Sequence, residues 1–355
     1  MAVDSRFFRS SSSGRPSEYG AIYQPDDAWL ALTAPEVVQE PELVIVDAHH
    51  HLWERPYPYR PQDFTADLAS SHRVAATVYV ECAVGYRTTG PEALRPVGET
   101  EHVAKVARDI QAQEHAPQVA SGIIGFADLG LGEAVEEVLE SHIDAGEGRF
   151  RGIRFGTGRD DSPVIENTQS AKRPNMLAER QIRAGARELE KLDLSLDVWL
   201  FHTQLSEVAE LADDLPGLRI VLDHCGGPLG YGPYATNKEE HFARWREGLL
   251  EVALRPNVVC KLGGLLARGA AFDYLNAPVP PASGELARTW APWLETCVEA
   301  FGADRCMFES NFPVEKMGTS YTTLWNAFKA VVSSASDDEK RWLFSETARR
   351  TYRLV

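Results

Sequence analysis

From Leu43 onward the chain alternates short apolar, β-branched runs with longer stretches whose apolar residues recur at helical spacing. Continuous or period-two apolar runs of this length read as strands, and a 3.6-residue period reads as helix. The strands predicted are Leu43–Asp47, Ala75–Glu81, Ala120–Ala127, Gly152–Phe155, Ser195–Phe201, Arg219–Asp223, Val258–Leu262 and Cys306–Glu309. Helices are predicted over about Val97–Ala112, Gly132–Ala145, Asn175–Leu192, Leu205–Leu215, Glu239–Ala253 and Gly284–Phe301. Ser336 with Glu339 makes a capping box for a last helix toward Thr351. Eight strands alternating with helices predict α/β architecture: a (β/α)8 TIM barrel forming one domain over residues 42–355. An open doubly wound sheet is the rival topology. No GxGxxG or GxxxxGK[ST] follows the first strand, so the nucleotide-binding forms of that rival lose support.

Residues 1–41 form a different zone. Ser10 to Ser13, Gly14 and Arg15-Pro16 read as a tail, and Trp29, Leu30 and Leu32 form a short apolar patch expected to dock on the body. This N-terminal extension is expected to be an accessory to the barrel.

Composition narrows the function. With 52 acidic against 36 basic residues the formal charge is −16, which argues against nucleic acid or an anionic membrane as the main partner. A small-molecule substrate remains compatible, because a local Arg or His pocket opposes the global sign. Homo-oligomerisation is left open. No apolar stretch reaches about 18 residues, so no membrane span is expected. The first residues lack the apolar core of a secretory signal. Cys82, Cys225, Cys260, Cys297 and Cys306 show no CxxC spacing and read as buried thiols of a cytoplasmic protein.

Polar residues collect at the carboxyl ends of the predicted strands, where barrel chemistry sits. Strand 1 leads into His49-His50-His51, strand 2 ends in Glu81, strand 4 in Arg154, and strand 5 runs into His202. Strand 6 ends Asp223-His224, strand 7 carries Lys261, and strand 8 gives Glu309, Ser310 and Asn311. Residues two apart on a strand face one side, so His49 and His51 are expected to point into the barrel mouth and His50 away. Two imidazoles so placed hold a divalent metal or bind a carbonyl or carboxylate directly.

At these residues the sequence resembles the amidohydrolase superfamily, in the branch of sugar lactonases and 2-pyrone-4,6-dicarboxylate lactonase. The motifs that carry the resemblance are Asp47-Ala48-His49-His50-His51-Leu52-Trp53, Gly152-Ile153-Arg154, His202, Leu222-Asp223-His224-Cys225-Gly226-Gly227-Pro228, Asn257-Val258-Val259-Cys260-Lys261-Leu262 and Arg305 to Pro313. They cover about Leu43 to Val355. The resemblance implies a distorted barrel that hydrolyses lactones or related esters, with His49, His51, His202 and His224 in the site. It also implies a strand-8 Asp as metal ligand and general base, where this chain has Asn311.

An amide takes no proton from water at neutral pH and is a poorer ligand than a carboxylate. Either catalysis is lost or the carboxylate has moved. Glu309, two residues earlier, is expected to share the strand face of Asn311 and to act as base or ligand; a structural ion pair with Lys261 is the alternative. Glu81 is a further candidate. A bound Zn²⁺ or Mn²⁺ would take His49, His51 and Glu309 or Glu81, with His202 as a possible addition. Metal-independent hydrolysis would rest on the histidines, Arg154 and a carboxylate or His224.

On the substrate side, Tyr86, Arg87 and Arg95 lie in the loop after strand 2, where the arginines suit a substrate carboxylate or pair with surface acids. Arg154 is expected to bind substrate or oxyanion, with His202, Asn311 and Lys261 beside it; Trp53 and Tyr57 are expected to wall the pocket. Asp47 is expected to orient a loop or a histidine. The expected activity is hydrolysis of a lactone or ester of a small, carboxylated molecule, with His224 protonating the leaving alkoxide or orienting substrate. The alternatives are a metal-dependent decarboxylase and a catalytically impaired binding barrel.

Overall fold

Eight short segments pair in chain order into one all-parallel sheet: β1 (Ile45–His50), β2 (Val74–Val80), β3 (Gln118–Gly125), β4 (Phe150–Gly156), β5 (Ser195–Trp199), β6 (Arg219–Leu222), β7 (Val258–Leu262) and β8 (Cys306–Phe308). The computed structural model describes residues 24–354 apart from 55–56, 70–71, 113–116, 166, 169–172 and 267–276, plus a parallel pairing of Phe8–Arg9 with Ile22–Tyr23. The sheet all but closes on itself. The chain just past β8 runs beside β1, with Asn311 N–H donating to His49 O and His51 N–H to Phe312 O, each at 2.8 Å. Helices fill the crossovers, so the architecture is a (β/α)8 TIM barrel. Register shifts in the β1–β2, β2–β3 and β3–β4 pairings distort it, whereas β4, β5 and β6 run in step.

The two-residue side-chain period sorts the strands into two cores. Leu196, Val198, Ile220, Leu222, Val258, Cys260 and Phe308 face the helices and join the large outer cluster. Val46, Ala76, Val78, Val221, Val259 and Met307 fill a separate cluster, and Ala348, Tyr352 and Leu354 of the last segment join it. The terminal helix Thr347–Tyr352 thus packs into the inner core. Asp197 on β5 pairs with Val221 and Lys261 on β7 with Met307, and Asp223 and Glu309 follow directly on the ends of β6 and β8.

Among the described residues three α-helices escaped sequence reading: the single turn Asp27–Leu30, and the longer Pro61–Ala69 and Tyr321–Val331. The last is buried nearly all round, so it shows no polar stripe to give its period. The Ser336–Glu339 capping box forms as expected. Trp29 is buried, its indole N–H donating to the Ala277 carbonyl at 3.1 Å, while Leu32 is exposed. Glu36 and Gln39 bond to Ser283 and Asn326, tying this stretch to the barrel's outer helices.

Candidate active site

The strand ends assemble a fully buried polar centre. His49 extends from β1 with both ring nitrogens engaged: Nε2 lies 3.1 Å from His51 Nε2, and Nδ1 lies 2.9 Å from Glu309 Oε2 and 3.2 Å from Lys261 Nζ. His51 turns its Nδ1 to the Val80 carbonyl at 2.8 Å and stacks on Trp53, against which Tyr57 packs edge-on. His224 Nδ1 lies 2.6 Å from Glu309 Oε1. One carboxylate therefore bridges two imidazoles. His50 points the other way, stacked on Phe64 and bonded to Thr77.

Local backbone makes this possible. His224 sits at φ 55°, and a Cβ on the facing Gly264 would come within 2.6 Å of it. A Cβ on Gly263 would come within 2.5 Å of Glu309 Cγ. The Gly263-Gly264 pair after β7 is what lets both side chains fit.

Beneath the imidazoles, Lys261 Nζ lies 2.8 Å from Asp197 Oδ2 and 3.0 Å from Asp223 Oδ1. Beside them, Arg154 donates from Nε to Glu81 Oε1 at 2.8 Å and from NH2 to the Glu81 carbonyl at 2.6 Å, with NH1 3.5 Å from His49 Nε2. Glu81, Asp197, Asp223 and Glu309 outnumber Arg154 and Lys261. Burial accordingly pushes Glu309 up to about 8 and Asp223 up to about 6, Lys261 opposing in both cases. Burial and the Lys261 charge hold His49 well below its ordinary range; burial and Arg154 do the same for His51. Both shifts favour the neutral imidazole at His49 and His51, and the excess of acids leaves room in the charge balance for a proton or a cation.

One ligand atom each from His49, Asp223 and His224 lie within 4.8 Å of one another, all on buried side chains. Two imidazoles and a carboxylate are a competent set for a divalent ion. It differs from the set expected from sequence. Glu81 is spent on Arg154, and Glu309 lies against the Nδ1 atoms of both histidines. Asp223 takes the carboxylate place.

Other expectations shift as well. Glu309 and Asn311 do not share a strand face: β8 ends at Phe308, and Asn311 adopts φ 51°, which turns its amide toward Glu315 at 3.4 Å. Lys261 is wholly buried below His49 rather than on the substrate side. Arg87 is partly exposed and paired with Glu101. Tyr86 lies within electrostatic reach of Glu81, Glu99 and Arg154. His202 accepts from Leu229 N–H at 3.3 Å and lines a cleft of about 310 Å³ with Thr203, Tyr234, His241 and Arg244. His202 makes its contacts with Leu229 and Tyr234 in that cleft. Asp47 accepts from Ser310 N–H at 2.8 Å, His49 N–H at 3.3 Å and Tyr321 O–H at 2.9 Å, tying β1 to the turn after β8 as expected of an orienting group.

Glu99, Asp197 and Tyr352 were missed. Glu99 Oε1 gathers Tyr79 O–H, Cys82 N–H and Val84 N–H at 2.8, 2.8 and 3.1 Å and so shapes the loop after β2. Asp197 was legible in principle, as a lone acid inside the apolar run of β5.

A family model described as Amidohydrolase matches residues 46–354. The uncharacterized protein y4mH of Sinorhizobium fredii is 32% identical over 340 residues, covering 88% of this chain and 99% of that protein. An L-fucono-1,5-lactonase of Burkholderia multivorans is 27% identical over 323 residues, covering 87% and 96%. A crystal structure of an amidohydrolase from Burkholderia multivorans with bound zinc shares the fold at TM-score 0.68 and 24% identity, over 88% of this chain and 100% of that one. The family match spans most of the molecule, and its limits coincide with the barrel: the chain belongs to the amidohydrolase family.

Proposed function

We propose that the protein hydrolyses a lactone or related ester of a small carboxylated molecule, such as a sugar acid. The observation that carries this is the Glu309 carboxyl bridging His224 and His49, with Arg154 beside them. The lactonase among its relatives supports the same chemistry.

His224 donates its Nδ1 hydrogen to Glu309 Oε1, which leaves the Nε2 lone pair as the base. His224 removes a proton from water as the water oxygen bonds to the substrate carbonyl carbon. Charge gathers on the carbonyl oxygen, and Arg154 NH1 is the cationic donor beside it. The tetrahedral adduct collapses by breaking the ring C–O bond, and His224 returns the proton to the leaving alkoxide. The product is the open hydroxy acid. Glu309 orients the imidazole through the bond from His224 Nδ1 to Oε1, the place the acid holds in a catalytic triad. A divalent ion held by His49, Asp223 and His224 would supply Lewis-acid polarisation of the carbonyl and an acidified water; it would occupy the His224 lone pair, so it would replace the His224 base rather than add to it. The His202 cleft, lined by polar side chains including Arg244, which pairs with Glu240, suits the substrate's polar tail. The amide of Asn311 takes no part in proton transfer.

Among the described residues no helix is long and apolar enough to cross a membrane. The buried free thiols of Cys225, Cys260, Cys297 and Cys306 suit a reducing compartment, in keeping with a cytoplasmic enzyme. The test is a panel of 1,4- and 1,5-lactones of sugar acids with small pyrones and aromatic acids, assayed with zinc, with manganese and with chelator. Acid release from a lactone supports the reading. CO₂ release from an aromatic acid, or binding without turnover, would overturn it.

A further inference from the structure

Residues 26–40 lie outside the family match, which begins at residue 46, yet they are bonded along their length to the barrel. At one end Lys329 Nζ donates to the Gln39 and Glu40 carbonyls at 2.8 and 2.9 Å. Asn326, wholly buried, donates from Nδ2 to Glu36 Oε2 and to the Val37 carbonyl and accepts from Gln39 N–H, each at 2.9 Å. Both residues belong to helix Tyr321–Val331, which follows β8 and so starts at the barrel mouth and runs away from it. Traced backward from Glu40, the segment climbs that helix toward the mouth.

There it meets the returning limb of the loop after β7. Glu36 Oε1 accepts from Ser283 N–H at 2.7 Å. The Thr33 hydroxyl donates to the Pro280 carbonyl at 2.8 Å, and the Trp29 indole N–H to the Ala277 carbonyl at 3.1 Å. Helix Ser283–Phe301 has Ala282 at its N-cap, which offers no side-chain acceptor, so Glu36 supplies the capping carboxylate from another segment. Trp29 is itself aimed, because Asp26 Oδ1 accepts from Ala28 and Trp29 N–H at 3.1 Å and fixes the turn that presents the ring. The outgoing limb is held by the barrel. Gly263 and Gly264 face Glu309 and His224, and Leu266 N–H donates to the buried Glu315 Oε2 at 2.8 Å. The loop thus begins against the site's own side chains and ends on residues 29–36.

We propose that residues 26–40 are a strap that fixes the β7 loop at the barrel mouth, with Trp29 and Glu36 as positioning residues that set substrate fit. The bonds from Lys329 and from Asn326 to Val37 and Gln39 seat the segment on the barrel wall. Those from Trp29, Thr33 and Glu36 go further and fall on the one loop that starts at Glu309 and His224. Releasing them frees the returning limb, while Leu266 keeps the outgoing limb on Glu315 and the proton-transferring groups stay in place. Substrate and transition state then lose the same contacts, which raises KM and spares kcat. The inference rests on the proposed hydrolysis only for the reaction in which KM is read; the anchoring is read without substrate.

The experiment compares full-length wild type with Trp29→Phe/Glu36→Ala and with Glu36→Gln. The double variant keeps an aromatic ring but loses the indole donor and the cap, whereas Glu36→Gln keeps an acceptor for Ser283 N–H. Amide hydrogen exchange is followed by mass spectrometry over residues 279–286, with β4 and β5 as reference. The double variant is expected to exchange about tenfold faster at 279–286 with the strands unchanged, and Glu36→Gln to retain most of the protection. On the compound of the lactone and acid panel that wild type turns over fastest, the double variant should raise KM about fivefold or more with kcat within about twofold. Unchanged exchange at 279–286 would overturn the proposal, as would a rise spread evenly over the strands, which marks a merely destabilised fold. Faster exchange with KM unmoved, or a fall in kcat at constant KM, would equally defeat it. If the double variant does not fold, Thr33→Val, which deletes one bond and no buried ring, is held to the same criteria. Turnover of an aromatic acid in place of a lactone would refute the hydrolysis and leave this test intact; binding without turnover would do the same, with Kd in the place of KM.

Discussion

A single carboxyl group organises the site. Glu309 holds His224 and His49 by their Nδ1 atoms, so its substitution tests orientation rather than proton abstraction. His224→Gln removes the base and is expected to lower kcat by about 10²–10⁴ with the fold retained, read by lactone hydrolysis and circular dichroism. Glu309→Gln keeps an acceptor for His224 and offers His49 a donor, so it should cost about tenfold or less, whereas Glu309→Leu keeps neither and should cost about 10–100-fold. Equal losses in the two Glu309 variants would mean that its charge, not its hydrogen bonding, matters. The four imidazoles could be found in sequence because strand periodicity placed them, and three of them meet. His202, in the 3-10 turn past the end of β5, contacts Leu229 and Tyr234 in the cleft instead. Glu309 was legible as a carboxylate near the site, but its bond to His224 spans 85 residues and no local pattern encodes it.

At the scale of elements, the turn after β8 explains how an asparagine is tolerated there. Asn311 lies in left-handed backbone, which asparagine adopts more readily than most residues, and its amide nitrogen faces the buried Glu315. Asn311→Asp puts a second carboxylate against Glu315. We expect no gain in activity and a loss of about 1–3 kcal/mol in urea unfolding; a rise in turnover would return the catalytic role to this position. The loop after β2 depends on Glu99, which burial and the nearby Glu81 push up to about 7. The strands and most helices were readable because each buries one face. The β2 loop was not, since its shape follows from three donors converging on one distant oxygen.

For the whole molecule, the buried acids set a pH dependence. Burial raises Asp47 and Asp223 to about 6, Glu99 to about 7 and Glu309 to about 8 in the folded state, above their ordinary carboxylate values. A raised acid binds its proton more tightly when folded, so its stabilising effect is complete below the unfolded value and is lost as pH rises through the folded one. The buried histidines, His49, His50, His51, His72, His142 and His202, are held below their ordinary value and act the other way below about pH 6.5, so the melting temperature is expected to fall only from about pH 7 to about pH 9, as Glu99 and Glu309 ionise. Glu99→Gln should flatten that fall near pH 7 (approximately) in scanning calorimetry; an unchanged slope would show that Glu99 is ionised throughout.

Ala348, Tyr352 and Leu354 lie in the same inner cluster as Val46 of β1 and Val78 of β2. During synthesis the first strands therefore wait for side chains made about 270 to 308 residues later. Until residues 348–354 have cleared the ribosomal tunnel, the nascent barrel has an open floor, and Asp197 and Lys261 face it without Tyr352. Such a chain is a natural client for chaperones that shield apolar surface. A stop codon placed after residue 346 should yield a protein trapped at that stage, recovered with a bound chaperone or in the insoluble fraction, even though every strand of the sheet is present.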